Sequence, residues 1–284
     1  MSKAIASLPS GPTKWKGVRF LGDGASAMAG LWEGQGRPDV PALPFKQVVI
    51  MEVLKISRSL EYERDFLISC NRSNSTHLLK MLQDSDVVSR ASNEGLGPQW
   101  DDVHRRLFLE YCSLGSLEDL LHKRGIETKH FTEKSLWLIL NCLVDGLLAM
   151  EYGCEFQTNP QNGQSYHPGR REGWNPIIHF DIKPDNVFLA NDALHYVTPI
   201  FKFADFGLAA YDFLDDPFTD EERESFRRNG TEDYYPPEQF TEQWDFSDYK
   251  ESEVAGQYSF YTTFGGVGVI MYQLVTLSED PPDH

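Results

Sequence analysis

The chain has 284 residues, 40% of them apolar and 13% aromatic, which suffices to bury a core of one or two domains and excludes disorder by composition. A formal net charge of −17 argues against nucleic acid as a partner, because phosphate backbones are bound through clustered Lys and Arg. Cys70, Cys112, Cys142 and Cys154 form no CxxC pair, so neither a zinc site nor a disulfide framework is signalled and a reducing interior fits best.

The opening MSKAIASLPSGP lacks an apolar h-region, and residues 1–14 are expected to form an N-terminal extension. The longest apolar run, residues 264–275, is too short to span a bilayer, so no membrane partner and a cytoplasmic or nuclear location are expected. Strands are predicted at residues 18–21, 47–55, 78–82 and 106–111, with a helix over 60–70. Loops rich in Gly, Pro, Ser and Asp separate them at 33–44 and 84–102.

Near Cys112 the pattern changes from β-branched runs to helical periods, and no internal repeat is present. Gly115-Ser-Leu-Glu-Asp-Leu-Leu has the form of a helix start, and Leu136, Ile139, Leu140, Leu143, Leu147 and Met150 predict an amphipathic helix over 133–152. Residues 153–176, rich in Gln, Asn, Gly and Pro, predict a long surface insertion. Short strands are predicted at 187–189 and 200–203, and the acids Asp215, Asp216, Asp220, Glu221, Glu222 and Glu224 predict a solvated, mobile loop.

The chemistry concentrates in His179-Phe-Asp-Ile-Lys-Pro-Asp-Asn186 and in Ala204-Asp-Phe-Gly207, with Asp205 following Asp181 by 24 residues. Either segment alone is an ordinary polar turn. In this order they resemble the catalytic and metal-binding loops of eukaryotic protein kinases. Lysine two residues after Asp181 is similar to the serine/threonine type. Gly230-Thr-Glu-Asp-Tyr-Tyr-Pro-Pro-Glu238 resembles the end of a kinase activation segment, with Pro-Pro-Glu in place of Ala-Pro-Glu.

Moving a γ-phosphoryl group needs a base near the acceptor hydroxyl and metal ions to neutralise charge on the phosphate oxygens. The resemblance implies Asp181 as that base, Lys183 as a contact to the transferring phosphate, and Asn186 and Asp205 as Mg²⁺ ligands. Thr231 would brace Asp181 and Lys183. ATP and Mg²⁺ are the implied cofactors, and a protein of unspecified identity is the implied substrate.

Leu21-Gly-Asp-Gly-Ala-Ser-Ala27 resembles the family's Gly-rich loop, which implies Gly22, Asp23, Gly24 and Ala25 as nucleotide contacts. Strand-like residues follow these glycines, whereas a dinucleotide fingerprint requires a helix there. Arg106-Leu-Phe-Leu-Glu-Tyr-Cys112 resembles the hinge strand, with Leu109 as gatekeeper and Glu110 and Cys112 offering backbone groups to adenine.

The family's phosphate-binding lysine ends a Val-Ala-Ile-Lys strand and pairs with a helix glutamate. Val48-Val-Ile-Met51 matches that strand with methionine in the lysine slot, and Lys55 is the rival. Strand parity leaves both open, since 51 and 55 share a face. Four residues along a strand is about 13 Å, too far for both to serve the same phosphates. Glu63 best resembles the helix glutamate; it follows Met51 by 12 residues and Lys55 by only 8, which favours Met51 in the slot.

Other departures are Phe180 in place of the arginine of His-Arg-Asp, and Thr263 and Gly265 in place of the Asp and Trp of an Asp-x-Trp-x-x-Gly helix that Gly268 otherwise fits. The chain stops at His284, soon after that helix, so the large lobe is expected to be incomplete.

The resulting expectation is an α+β, bilobal protein-kinase-like fold, with a β-rich N-lobe over 15–111, a mainly helical C-lobe over 112–284, and nucleotide in the cleft. The expected function is ATP-dependent serine/threonine phosphotransfer, similar to divergent fungal kinases. The alternative is a pseudokinase acting as a nucleotide- or partner-binding module, motivated by Met51.

Overall fold

A computed structural model describes residues 14–23, 27–35, 47–54, 59–84, 104–191, 199–213 and 216–282. Two units divide the chain: Met1–Ile68 with Leu79–Tyr111, and Ser69–Leu78 with Cys112–His284.

In the first unit β1 (Lys14–Asp23), β2 (Met28–Gln35), β3 (Gln47–Leu54), β4 (Met81–Asp84) and β5 (His104–Glu110) form an antiparallel sheet of order β1-β2-β3-β5-β4. The period of two sets its faces. Val48, Ile50 and Phe108 bury one side with Trp32 and Leu82 packed against them, while Met51 shares the other side with Val49. Pairing of Val49 with Leu109 and of Met51 with Leu107 fixes the register, which the buried face makes costly to slip.

Helix α1 (Ser59–Ser73) buries Leu60, Glu63, Phe66, Leu67 and Cys70, a spacing that lines one helical stripe. It outlasts the predicted helix by three residues at its C-terminal end, where the Ser73 hydroxyl donates to the Cys70 carbonyl. The strand predicted from 78 begins only at Met81, because Leu78 forms a parallel bridge with Phe203 in the second unit instead. Lys55, at the end of the predicted second strand, lies outside the described residues.

The second unit carries α2 (Leu117–Ile126) and α3 (Glu133–Tyr152). A capping box between Ser116 and Asp119 starts α2. Thr132 caps α3, and Gly153 ends it in the left-handed conformation at φ 72. Among the described residues α3 alone is long and apolar enough to cross a membrane by length and composition. It buries Ile139, Cys142, Leu143, Leu147 and Met150, as a core helix does.

Residues 153–176 are less uniform than a surface insertion. They contain an exposed hairpin, β6 (Gln157–Thr158) with β7 (Ser165–Tyr166), and then return to the core. Trp174 is buried, donates Nε1–H to the Met150 carbonyl at 2.9 Å, and lies where a Cβ on Gly153 would come within 2.5 Å of its ring. Arg170 pairs with Glu151 at 2.5 Å, and Arg171 donates to the Arg72 carbonyl at 2.5 Å.

Two short ladders follow, β8 (Ile177–Ile178) with β11 (Ala210–Tyr211) and β9 (Val187–Ala190) with β10 (Ile200–Phe203). The acidic segment expected as a mobile loop contains α4 (Asp220–Phe226). A capping box joins Thr219 to Glu222, and three acids in its first turn favour the positive end of the helix dipole. Solvation of these acids and helix formation are therefore compatible; Asp215 lies outside the described residues. After α5 (Pro237–Phe240), α6 (Phe260–Thr276) completes six α-helices among the described residues.

Candidate functional site

The turn between β8 and β9 holds a dense polar network in the second unit. Asp181 is buried, and its carboxylate takes three side-chain donors: Thr231 Oγ1–H at 2.8 Å, Asn186 Nδ2–H at 2.9 Å and Lys183 Nζ at 3.3 Å. The Thr231 oxygen in turn accepts from Lys183 Nζ at 2.7 Å. One hydroxyl thus donates to the acid and accepts from the base, which fixes the direction of its single proton.

Asn186 also donates Nδ2–H to the Asp181 carbonyl at 2.9 Å. That carbonyl can only accept, so the amide orientation is set and the Asn186 side-chain oxygen is turned away from Asp181. The Asn186 carbonyl accepts from Ala204 N–H at 2.9 Å, which brings Asn186 beside the residue preceding Asp205. Asp205 is exposed, with one oxygen receiving a long bond from Gly207 N–H at 3.4 Å.

Mg²⁺ takes hard oxygen ligands and is bound through one or two protein groups, with water and phosphate completing its shell. Among the described residues no group of three His, Cys, Asp or Glu side chains is arranged to hold a metal. Asn186 and Asp205, which the Asn186–Ala204 backbone bond brings near each other, carry oxygen donors of the type this smaller requirement needs.

The backbone around the acid is strained. Phe180 and Asp205 both have φ 62, a left-handed conformation that costs roughly 1–2 kcal/mol for a residue with a side chain. Contacts on all sides offset this. His179, fully buried, accepts Asp181 N–H at Nδ1 (3.3 Å) and donates Nε2–H to the Ala204 carbonyl at 3.0 Å, an arrangement for neutral imidazole. Burial accordingly pulls its pKa down. Phe206 packs on the same ring with centroids 4.8 Å apart.

Thr263 on α6 accepts His179 N–H at 3.1 Å, so the hydroxyl that stands in place of the family's aspartate still holds this turn. The close approach of α6 falls at Gly266, where a Cβ would lie 2.6 Å from Ile182, whereas one on Gly268 would meet nothing within 4 Å. Gly266 is thus a packing residue that motif matching misses. A Cβ on Gly230 would sit 2.1 Å from the Phe180 carbonyl oxygen, and φ 98 at that residue also demands glycine.

The first unit carries the remaining predicted positions. Gly22 and Asp23 end β1, and Gly24 and Ala25 lie outside the described residues. Met51 is half-buried in β3, and Glu63 is buried in α1. Leu109 is buried in β5. The Glu110 N–H donates to the Lys80 carbonyl at 3.0 Å and its carboxylate accepts Lys80 N–H at 2.8 Å, so that amide is engaged within this unit. Cys112 is buried at the start of the second unit's main segment.

No family model matches the chain. The G2-specific protein kinase nimA of Emericella nidulans is 26% identical over 219 residues, covering 72% of this chain and 26% of that protein. The chain is thus similar in sequence to eukaryotic protein kinases. The G2-specific protein kinase fin1 of Schizosaccharomyces pombe is 36% identical over 107 residues, 36% of this chain and 13% of that protein. The G2-specific protein kinase nim-1 of Neurospora crassa is 29% identical over 140 residues, 46% of this chain and 15% of that protein.

The chain therefore spans about a quarter or less of the length of these kinases. A structure of the CAK complex of Chaetomium thermophilum bound to ATP-γ-S aligns with a TM-score of 0.57 at 20% identity, over 95% of this chain and 65% of that one. This shows the protein-kinase fold, with its β-sheet N-terminal region and helical C-terminal part.

Proposed function

We propose that the chain is a serine/threonine protein kinase that transfers the γ-phosphate of ATP to a hydroxyl on a protein. The observation that carries this reading is the Asp181–Thr231–Lys183 network, an acid and a base joined through one hydroxyl beside a candidate metal pair. Asp181 accepts the proton of the attacking hydroxyl, and its remaining donors hold it in one orientation. Lys183 contacts the transferring phosphate and, two residues from Asp181, favours an alcohol acceptor over a phenol. Asn186 and Asp205 hold Mg²⁺, which when bound neutralises charge on the phosphate oxygens.

Gly22, Asp23, Gly24 and Ala25 are assigned to the nucleotide phosphates, and Leu109, Glu110 and Cys112 to adenine. Residues 15–111 and 112–284 are the corresponding lobes, after an extension over 1–14. An intracellular setting is supported by four free, buried cysteines. Transfer of labelled phosphate from ATP to a generic protein substrate tests the reading: it must require Mg²⁺ and vanish in Asp181→Ala, and transfer surviving that change would sink the assignment.

A second reading, a pseudokinase that binds nucleotide or a partner without turnover, is favoured by one observation. Met51 lies within β3, opposite Leu107, and is assigned to the slot where the family carries its phosphate lysine, with Lys55 as the rival. Methionine offers no charge to a phosphate or to Glu63. ATP turnover in Met51→Lys against the unaltered chain separates the two: a large gain supports the slot assignment. Robust unaltered activity that is lost in Lys55→Ala moves the role to Lys55.

A further inference from the structure

We propose that Phe226 is a positioning residue for Asp181, acting through Phe180; the inference deepens the kinase reading above and rests on it for its catalytic consequence. Phe180 immediately precedes the acid, at φ 62, with its ring buried. That ring stacks on Phe226 of α4 with centroids 5.0 Å apart at 28°, and meets Tyr258 edge-on at 5.2 Å. Phe226 is in turn held edge-on by Phe218 at 5.2 Å. Phe180 and Tyr258 belong to a buried cluster with Ile178, Ala210, Trp244 and Ala255, against which the partly buried Phe218 and Phe226 pack.

The chain that leaves α4 returns to the same residue. Gln239, itself buried, donates from Nε2 to the carbonyls of Phe226 and Asn229, both at 2.8 Å. The next residue, Gly230, lies against the Phe180 carbonyl, and Thr231 then reaches Asp181 and Lys183. The segment thus grips Phe180 twice, at its ring through residue 226 and at its carbonyl through residue 230. Loss of the first grip removes the stacking partner of a ring whose backbone is strained, one residue from Asp181, and leaves Tyr258 as its remaining aromatic contact.

An arginine at position 180 would make a charge-dependent link between this segment and the turn. The phenylalanine replaces it with apolar and aromatic packing, which is non-directional in charge and needs no added anion. Phe226 touches neither the acceptor nor the phosphate in this account. Its effect is on the geometry of the acid, and its alteration changes turnover while leaving nucleotide affinity intact.

The test uses the whole chain without nucleotide. Hydrogen–deuterium exchange is followed in peptides covering 178–189 and 227–236 of the unaltered protein, Phe226→Ala, Phe226→Leu and Phe226→Tyr. Alanine is expected to accelerate exchange in both peptides by about tenfold or more, leucine to give most of that effect, and tyrosine, which keeps the stack, to stay within about twofold. Unaltered exchange in a folded alanine variant overturns the proposal. Where circular dichroism shows the alanine variant to be unfolded, the leucine variant decides by the same criterion.

Phosphate transfer supplies the second readout. Phe226→Ala is expected to lower kcat by about tenfold with KM for ATP within about twofold, and Phe226→Tyr to restore it. A loss expressed only in KM contradicts the assignment. Absence of transfer in the unaltered protein removes the kinase reading itself, and the exchange measurement still decides whether Phe226 positions the turn.

Discussion

Around Asp181, side chains from the β8–β9 turn, the segment after α4 and helix α6 converge on one strained turn, and nearly every polar atom there has a partner. Around Met51, β3 is paired on both edges, with Ala29 on β2 and Leu107 on β5, while the side chain proposed for the lysine slot is apolar. A ladder of backbone bonds accepts any residue that suits a half-buried strand face. A turn at positive φ, held by side chains, does not. In the β8–β9 turn the groups that hold the fold are also the groups assigned to the chemistry. In β3 the two are separate, so the sheet survives a residue that removes a charge.

The sharpest way to break the first half of this comparison is Gly230→Ala. The added carbon meets the Phe180 carbonyl at 2.1 Å in a conformation unfavourable to alanine, and a loss of about 3–4 kcal/mol is expected in denaturant unfolding. A change near zero would mean that the segment does not lie on the turn.

The partly buried ion pair of His77 and Glu155, also in the second unit, gives the next effect. Burial lowers the His77 pKa, but hydrogen bonds to Cys142 and Glu155 and the Glu155 charge outweigh it and push the pKa up to about 9. Because the folded value lies above the unfolded one, this stabilisation is fully present below the unfolded pKa of 6.5 and is lost as pH rises through about 9. Glu155 moves the opposite way: burial raises its pKa, yet the bonds to His77 and Ser75 bring it below the usual value. Its contribution is therefore lost only in acid. Stability should fall by on the order of 3 kcal/mol across the alkaline window. Thermal unfolding against pH measures this, and His77→Gln should flatten the alkaline arm.

Thr231→Val removes a donor to Asp181 and an acceptor for Lys183. Hydrogen bonds to charged groups contribute about 1.5–3 kcal/mol, so kcat should fall by roughly tenfold to a hundredfold with KM for ATP little changed. The smallest expected effect sharpens the other half of the comparison. Met51→Lys should leave the unfolding midpoint near that of the unaltered chain while raising transfer by about tenfold, roughly 1.4 kcal/mol of barrier. A folded variant without any gain would remove Met51 from the slot.

Regular periodicity made much of this fold legible. Helix α3 and strand β10 have the predicted bounds, because Thr132 and Gly153 punctuate the first and an apolar run interrupted only by Lys202 marks the second. The β8–β9 turn was legible for a different reason: residues 179–186 and 204–207 resemble kinase loops letter by letter, so the motif shows without any periodicity. Long-range contacts were not legible. The bridge from Leu78 to Phe203, the anchoring of residues 153–176 by Trp174, and the approach of Gly266 to Ile182 each join residues far apart in sequence.

The α4 helix was missed although Thr219 and Glu222 carry a capping signal, because the acids around it read first as a solvated loop. Phe180 showed as a missing arginine, but its partners Phe226 and Tyr258 became visible only in three dimensions.

The central claim is that Asp181 and its network serve phosphate transfer as well as holding the turn. The most direct test compares Mg²⁺-dependent transfer from γ-labelled ATP in the unaltered chain and in Asp181→Asn, with the unfolding midpoint of each. The account predicts a loss of roughly a hundredfold to ten-thousandfold in kcat in a variant that still folds. Equal transfer by two folded proteins would contradict it.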